Sequence, residues 1–247
     1  MIAIRREDEI REIKEAGKIL SGTLDKLKRH IRAGVETREL DRIAREEILK
    51  RNGYPAFKGY RGFPGNICVS LNEAVVHGIP SEREIRDGDI VSIDIGVKFR
   101  DYYADAAETI GVGDINDTAK RLIDTAKKAF YMGIRNAVSG RRLSDVSSSI
   151  QAFVESNGFS VVRALVGHGI GRQIHEEPEV PNFGKPGTGP ELKAGMVLAI
   201  EPMINAGTFE VEVLDDGWTV VTKDRRLSAH FEHTVVVRDD KAQILTG

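Results

Sequence analysis

The sequence is poor in cysteine and in long apolar runs, and each shortage excludes a class of protein. Cys68 is the only cysteine among 247 residues, so the chain can form neither an intramolecular disulfide nor a zinc site built on several thiolates. No apolar run approaches the roughly 18 residues of a membrane-spanning helix. Residues 1–9 carry charges where a signal peptide has its apolar segment. We therefore expect a cytoplasmic protein without a membrane partner.

Neither sign of charge is in marked excess. The 36 basic and 38 acidic residues give a formal net charge of -2, so the chain lacks the basic footprint of a nucleic-acid-binding domain. We predict no nucleic-acid partner. Hydrophobic residues make up 40% of the chain, which is enough to build a sizeable core in one α/β unit or in two smaller domains.

A pair of helical patterns occurs twice along the chain at nearly constant spacing. Apolar residues recur at helical intervals over residues 7–31, and a second stretch capped by Thr37 ends at Asn52 and Gly53. The pair returns over residues 118–158, where Ser144 is the predicted cap and another Asn-Gly pair ends the pattern. The repetition indicates an internal duplication.

The strands that follow these helices match as well. Residues 87–94 (DGDIVSID) and 194–201 (AGMVLAIE) both enter an apolar run through a glycine turn and end in a carboxylate, Asp94 or Glu201. We predict an α+β fold duplicated about a pseudo-twofold axis, with repeats at residues 7–112 and 113–240 of a single catalytic domain, residues 1–247. A site where the halves meet would draw side chains from both repeats.

Carboxylates lie within or at the ends of four apolar strands: Asp94, Asp105, Glu201 and Glu232. Any one of them alone is explained equally well as a strand-end residue facing water. Together they would repel one another, and an unpaired buried carboxylate is costly. Because these segments contain few lysines or arginines, we predict that bound cations neutralise the four acids.

Three of the six histidines lie in apolar segments bounded by glycine or proline: His77, His168 and His175. His168 stands between two glycines, which lets the backbone approach a metal or ligand closely. The other histidines, His30, His230 and His233, are interpreted as ordinary structural residues.

The donor set indicates the kind of metal and the number of ions. Carboxylates with one imidazole and no thiolate suit manganese, iron, cobalt or zinc. Four acids and a histidine exceed the three protein ligands of a typical one-metal catalytic site. They suit a pair of divalent ions, which activates water and polarises a carbonyl. The sequence therefore predicts a dinuclear hydrolase.

These motifs, in this order, resemble the bacterial type I methionine aminopeptidases over nearly the whole chain. The matching segments are residues 75–80 (VVHGIP), 88–94 (GDIVSID), 167–171 (GHGIG), 175–178 (HEEP), 200–203 (IEPM) and 231–234 (FEHT). The resemblance implies the duplicated pita-bread (creatinase/aminopeptidase) fold, an antiparallel curved sheet covered by helices. It implies hydrolytic removal of the N-terminal methionine of nascent peptides through a metal-bridging hydroxide, favouring a small second residue.

The resemblance also assigns roles to individual residues. The implied ligands of the two ions are Asp94, Asp105, His168, Glu201 and Glu232. Asp94 belongs to one ion, His168 and Glu201 to the other, and the remaining two acids bridge. Glu201 would also relay a proton. His77 would contact the substrate near the scissile amide nitrogen, and His175 would stabilise the oxygen of the tetrahedral intermediate.

The methionine pocket of the family corresponds to Tyr60, Phe63, Cys68 and Trp218. Aromatic walls and a soft thiol suit a flexible thioether, although core packing also explains these residues. Two positions depart from the family. Ile174 stands where an aromatic residue is common, and Arg61 stands where a histidine is frequent. Both departures bear on substrate preference and not on the reaction.

Two other functions stay open at this point. One is an Xaa-Pro peptidase on the same fold, whose members usually carry an extra N-terminal domain for which the first helix leaves no room. The other is a non-catalytic relative that binds peptides or a partner, although such proteins usually lose metal ligands and this chain has all five. The resemblance implies a monomer that meets peptides with N-terminal methionine and the ribosome.

Overall fold

The computed structural model describes residues 2–247, which contain four α-helices and a short 3-10 turn, Tyr60–Gly62. The helices are α1 (Glu7–Lys28), α2 (Thr37–Lys50), α3 (Asp117–Ile134) and α4 (Leu143–Ser156). Each helix buries one apolar face, as the helical spacing of the sequence predicts. None of the helices among these residues is long and apolar enough to cross a membrane.

The predicted caps of α2 and α4 are wrong, because both hydroxyl side chains are engaged in tertiary contacts. Thr37 is the first helical residue after Glu36, and its Oγ1 donates to the Ser81 carbonyl at 3.1 Å. Ser144 lies one residue inside α4 and donates to the Thr188 carbonyl. Each hydroxyl thus ties its helix to a distant loop.

The strands form two antiparallel sheets. They are β1 (Tyr54–Pro55), β2 (Cys68–Leu71), β3 (Ala74–Val76), β4 (Ile90–Phe99), β5 (Tyr102–Gly111), β6 (Ser160–Val161), β7 (Gly167–Gly169), β8 (Glu176–Val180), β9 (Val197–Ile200), β10 (Met203–Asn205), β11 (Val211–Val213), β12 (Val220–Thr222), β13 (Ser228–Val236) and β14 (Gln243–Ile244).

The larger sheet has 11 strands and the order β1-β4-β5-β13-β9-β7-β8. Strand β2 pairs with β4, strands β10 and β14 pair with β13, and β6 pairs with β10. A three-stranded sheet, β11-β12-β3, completes the set. The centre of the large sheet therefore joins β4 and β5, from the first half of the chain, to β13 and β9, from the second.

Two hydrophobic cores support this sheet. Helix α1 packs on β4 and β5 and helps to form a cluster that includes Leu20, Leu40 and Ile93. Helix α3 packs on β13 and on α4, with Phe130 and Ile150 in the second cluster. Helices thus cover the antiparallel sheet, as predicted for an α+β fold. The single-domain assignment and the repeat boundaries stay predictions.

We expect Phe130→Ala to lower the free energy of unfolding by about 3–5 kcal/mol, because truncating a fully buried phenylalanine leaves a cavity. Thermal or urea unfolding of the metal-free protein measures this loss. The matched control is Phe209→Ala, whose side chain is 42% exposed and should cost under about 1 kcal/mol. Equal losses in the two variants would contradict the placement of Phe130 at the centre of the second core.

Candidate metal centre

The register of the large sheet places three of the predicted acids on one face. Ala107 of β5 lies opposite Asp94 of β4 on one side and opposite Glu232 of β13 on the other. Asp105 precedes Ala107 by two residues on β5. Because side chains alternate along a strand, Asp105 points to the same face as Ala107 and its two neighbours. The three carboxylates therefore converge.

The other two predicted ligands come from β7 and the end of β9. In the pairing of β9 with β13, Ile200 lies opposite His233, so Glu201 follows directly beside Glu232. His168 of β7 lies opposite Ala199 of β9. The structure thus brings together all five side chains that the sequence singles out, from both halves of the chain.

The His168 ring is held in the tautomer that suits metal binding. Its Nδ1–H donates to the Gly169 carbonyl at 2.9 Å, which leaves the Nε2 lone pair free. Nε2 lies 3.7 Å from Glu201 Oε1 and 4.0 Å from Asp105 Oδ2. Two ligands at about 2.1 Å from one ion, at tetrahedral or wider angles, are about 3.4 Å or more apart. These separations fit atoms that share an ion.

The carboxylates lack the partners that buried charges require. Asp94 Oδ1, Asp105 Oδ1 and Glu232 Oε1 are buried, and among the described residues none of them has a hydrogen-bond partner. Ligand atoms of Asp105, His168 and Glu232 lie within 4.8 Å of one another. Orphaned oxygens around a common point fit divalent cations, which supply the missing positive charge.

The pKa values report the same conflict. Burial raises the pKa of Asp94 to about 7, an effect that Asp105 and the Cys68 thiol partly offset. Burial raises the pKa of Asp105 well above its usual range, and the charges of Glu232 and Asp94 raise it further. The pKa values of Glu201 and Glu232 are raised by burial and then by neighbouring carboxylates. Without cations, ionisation of these four carboxyl groups is therefore unfavourable in the folded protein.

The predicted substrate-facing histidines flank the carboxylates. The ring of His175, in the loop before β8, lies 4.2 Å from that of His168, centroid to centroid. Its Nδ1 is 2.9 Å from the Tyr60 hydroxyl, and burial lowers its pKa to about 3. His77 follows β3 with a φ of 59°, a strained conformation for a residue other than glycine. Burial lowers the pKa of His77 too, so both rings are neutral.

The predicted pocket residues belong to one aromatic cluster beside the acids. The rings of Phe63 and Trp218 meet edge to face at 5.2 Å, and His77 lies 6.4 Å from Trp218. Cys68 is buried in β2 directly opposite Asp94. Tyr60 and Trp218 both pack on the first hydrophobic cluster, which includes Phe63 and Cys68. An apolar wall therefore adjoins the metal centre.

The two positions that depart from the family have different surroundings. Ile174 is buried in the first hydrophobic cluster. Arg61 stacks over the ring of Tyr60 at 5.4 Å and lines an open cavity of about 480 Å³ together with His168 and His175. Of the two positions that differ from the family pattern, only Arg61 is therefore placed to contact a molecule in this cavity.

His230 is a member of the site that sequence reasoning missed. Its ring lies beside Glu201 and Glu232, and the ligand atoms of these three residues lie within 4.8 Å of one another. The interpretation of His230 as an ordinary structural residue did not anticipate its position beside the acids. The available signal was its position two residues before Glu232, which puts both side chains on the same face of a strand. His233 faces the other way and packs on Phe130.

Comparison with known proteins gives consistent matches. The model of metallopeptidase family M24 matches residues 11–239. The methionine aminopeptidase of Clostridium perfringens is 55% identical, over 100% of this chain and 99% of its own length. Methionine aminopeptidase 1 of Bacillus subtilis is 50% identical, over 100% and 99%.

Solved structures agree with the sequence comparison. The crystal structure of the Thermotoga maritima methionine aminopeptidase superimposes with a TM-score of 0.98 at 44% identity, covering 100% of this chain and 99% of that one. The prolidase of Pyrococcus furiosus superimposes with a TM-score of 0.79 at 23% identity, and the match covers 99% of this chain and 65% of that one. The prolidase shares the fold alone.

We expect Asp105→Asn to stabilise the metal-free protein while weakening its response to metal. A carboxyl whose pKa is raised on folding costs stability as pH rises above its unfolded value, and asparagine carries no such cost. If this relief is about 1 kcal/mol, the Tm at pH 7.5 should rise by about 2–4 °C.

The measurement is thermal unfolding with and without cobalt(II). Cobalt should raise the Tm of the wild type, because it binds the folded state, and should raise that of Asp105→Asn less. Asp101→Asn, which alters an exposed acid in the turn between β4 and β5, should match the wild type. A lower metal-free Tm in Asp105→Asn would argue against mutual repulsion at this site.

Proposed function

This chain belongs to the methionine aminopeptidases of metallopeptidase family M24, and on that premise we propose that it removes N-terminal methionine with two divalent ions held by Asp94, Asp105, His168, Glu201 and Glu232. The predicted family, the pita-bread fold and the activity are confirmed by relatives of 50–55% identity over the full chain. As a metallopeptidase, it depends on divalent metal and acts on peptides that begin with methionine.

One observation carries the proposed ligand set. The carboxylates of Asp94, Asp105 and Glu232, which are buried, converge with half-buried Glu201 and the free Nε2 of His168 at the centre of the large sheet. The three buried acids have unpartnered oxygens, and all four acids have raised pKa values. Such a group of carboxylates is unfavourable in its ionised form, and divalent cations would neutralise it. In the proposed arrangement Asp94 would hold one ion, His168 and Glu201 would hold the other, and Asp105 and Glu232 would be shared between them.

The position of Asp105 supports its proposed bridging role. It lies beside Asp94, whose charge raises its pKa, and its Oδ2 also faces His168 Nε2. It therefore stands between the residues assigned to different ions. When bound, divalent ions of the manganese, iron, cobalt or zinc class would polarise the scissile carbonyl and lower the pKa of a water molecule.

The neutral histidines would act on the substrate. Nδ1 of His175 lies 2.9 Å from the Tyr60 hydroxyl. When that hydroxyl donates to Nδ1, the proton of the imidazole lies on Nε2, where it can be donated to the oxygen of a tetrahedral intermediate. His77, held by its strained backbone beside Trp218, would contact the scissile amide nitrogen. Glu201 would accept the proton released by the attacking water and pass it on.

The apolar wall suits the methionine side chain. Phe63 and Trp218 offer ring faces and edges, and Cys68 offers a small polarisable surface. A thioether gains from contact with aromatic rings and adapts to an irregular pocket. Arg61, at the open cavity, would lie near the residues that follow methionine. We propose that a small side chain is favoured at the second position.

Neither alternative function is favoured. The prolidase resembles this chain at 23% identity, whereas the matched methionine aminopeptidases reach 55%. A non-catalytic relative would have no reason to hold four repelling carboxylates together. A monomeric state, contact with the ribosome, the lack of a nucleic-acid or membrane partner and a cytoplasmic location stay predictions.

The proposed activity is tested with a peptide panel. We expect the metal-loaded protein to cleave Met-Ala-Ser and to release free methionine, with little cleavage of Met-Lys-Ser or of an Xaa-Pro dipeptide. Manganese, iron, cobalt and zinc are each supplied under anaerobic conditions, and free amino acids are measured by chromatography. Preferential cleavage of the Xaa-Pro dipeptide would overturn the methionine assignment. Inactivity with every ion would favour the alternative of a non-catalytic relative that binds peptides or a partner.

The role of His175 is tested by His175→Ala. We expect the rate to fall by a factor of about 10²–10³, because one donor to the oxyanion is lost. Metal content, measured by plasma mass spectrometry after dialysis, should be unchanged. His30→Ala, which alters a half-buried histidine just after α1 and outside the candidate site, is the control and should retain full activity. A variant His175→Ala with normal turnover would refute the oxyanion role.

A further inference from the structure

His230 has an unusual environment for a neutral histidine. The side chain is 1% exposed, and among the described residues neither Nδ1 nor Nε2 has a hydrogen-bond partner. Its backbone is fixed, because the amide donates to Thr109 Oγ1 and the carbonyl accepts from the same hydroxyl. A buried polar ring without a partner is costly and requires an explanation. The unpartnered nitrogens of His230 therefore indicate that the ring has a partner in the functional state of the site.

The groups that Nε2 of His230 faces are two carboxylates of the proposed metal centre. Nε2 lies 3.6 Å from Glu232 Oε2 and 3.7 Å from Glu201 Oε2. The other oxygen of Glu201, Oε1, faces Nε2 of His168. The carboxylate of Glu201 thus stands between two imidazoles, with one oxygen directed at each.

The two imidazoles differ in the feature that decides their roles. A histidine that binds a metal almost always donates its second ring N–H to an acceptor, which fixes the tautomer. His168 does so through the Gly169 carbonyl. His230 Nδ1 has no acceptor within reach among the described residues. A proton on Nδ1 would be a buried donor without a partner, whereas a proton on Nε2 faces two anionic oxygens. The Nε2–H tautomer is favoured.

We propose that His230 is a positioning residue whose Nε2–H donates to the Glu201 and Glu232 carboxylates and orients their other oxygens toward the ions. The inference rests on the proposed dinuclear site. Rotation of each carboxylate about its terminal torsion, which is soft, closes the few tenths of an ångström between the present separations and a hydrogen bond. His230 thereby stabilises the ligands without binding an ion itself.

Three substitutions separate this role from direct coordination and from simple packing. His230→Gln keeps an N–H donor near the position of Nε2, whereas His230→Leu fills a similar volume without a donor. His230→Asn is a second donor-deficient variant, because its shorter amide does not reach the carboxylates. His233→Gln is the matched control, since it alters a histidine of the same strand that faces Phe130.

The first measurement is the affinity for cobalt(II), by calorimetric titration of each metal-free protein. We expect the dissociation constants of His230→Leu and His230→Asn to rise by about 10–100-fold, the usual effect of losing a group that orients a ligand. His230→Gln should stay within about threefold of the wild type because it restores the donor. His233→Gln should match the wild type.

The second measurement is the Tm without metal, together with the visible absorption of the cobalt(II) protein. We expect the metal-free Tm of His230→Leu to equal or exceed that of the wild type, because leucine removes a buried polar ring. We expect His230→Gln to keep the wild-type cobalt spectrum. Weaker metal binding without loss of metal-free stability is an outcome that a purely structural role cannot produce.

The opposite results would overturn the proposal. If His230→Gln loses affinity as strongly as His230→Leu and its cobalt spectrum changes, His230 is a ligand and not a donor. If all three variants bind cobalt as tightly as the wild type, His230 does not act on the ions. In either case the wild type binds cobalt, so the dinuclear site survives. A wild type that binds no cobalt refutes the proposed function itself.

Discussion

Repulsion among buried carboxylates is the constraint on which the rest of the structure depends. Four acids lie close together in the sheet, three of them buried, and each raises the pKa of another. The sheet holds them together because hydrogen-bonded neighbours cannot separate without breaking the ladder. Ala107 lies between Asp94 and Glu232, and its small side chain leaves the space between them open for ions. The hydrogen bonds of the sheet therefore hold the four carboxylates close together despite their repulsion, which bound cations would relieve.

The imidazole side chains around the acids are uncharged at neutral pH. His168, His175 and His230 all have pKa values lowered by burial, to between about 3 and 4. An uncharged imidazole can offer a lone pair or a proton without neutralising the carboxylates. A lysine or arginine at any of these positions would pair with the acids and occupy the place of a metal ion. The positive charge is therefore left to come from outside the chain.

The repeated patterns and the acids in apolar strands were sufficient to predict an α+β fold and four carboxylates that converge. The family resemblance added the pita-bread fold and the choice of His168 as the proposed fifth ligand. Asp94 and Glu201 close matching apolar runs of the sequence, and that local signal needs no knowledge of pairing. In the structure Asp94 lies within β4, which continues to Phe99, whereas Glu201 directly follows β9. The features that the sequence did not predict, the helix caps and the surroundings of His230, depend on tertiary contacts. Thr37 and Ser144 have the composition of caps, but their hydroxyls bond to distant loops. The role of His230 depends on which atoms face its two nitrogens, and no spacing along the chain encodes a tautomer.

Strand β13 links the stability of the molecule to the geometry of the site. Phe231 and His233 on one face pack on Phe130 of α3. His230, Glu232 and Thr234 point to the other face, and the Thr234 hydroxyl donates to the backbone of Asp105. Because a strand is nearly rigid, a shift that repacks the core face moves the carboxylate on the opposite face. A ligand needs placement within about 0.5 Å. Helix α3 therefore helps to set the distances among the carboxylates of the proposed metal centre.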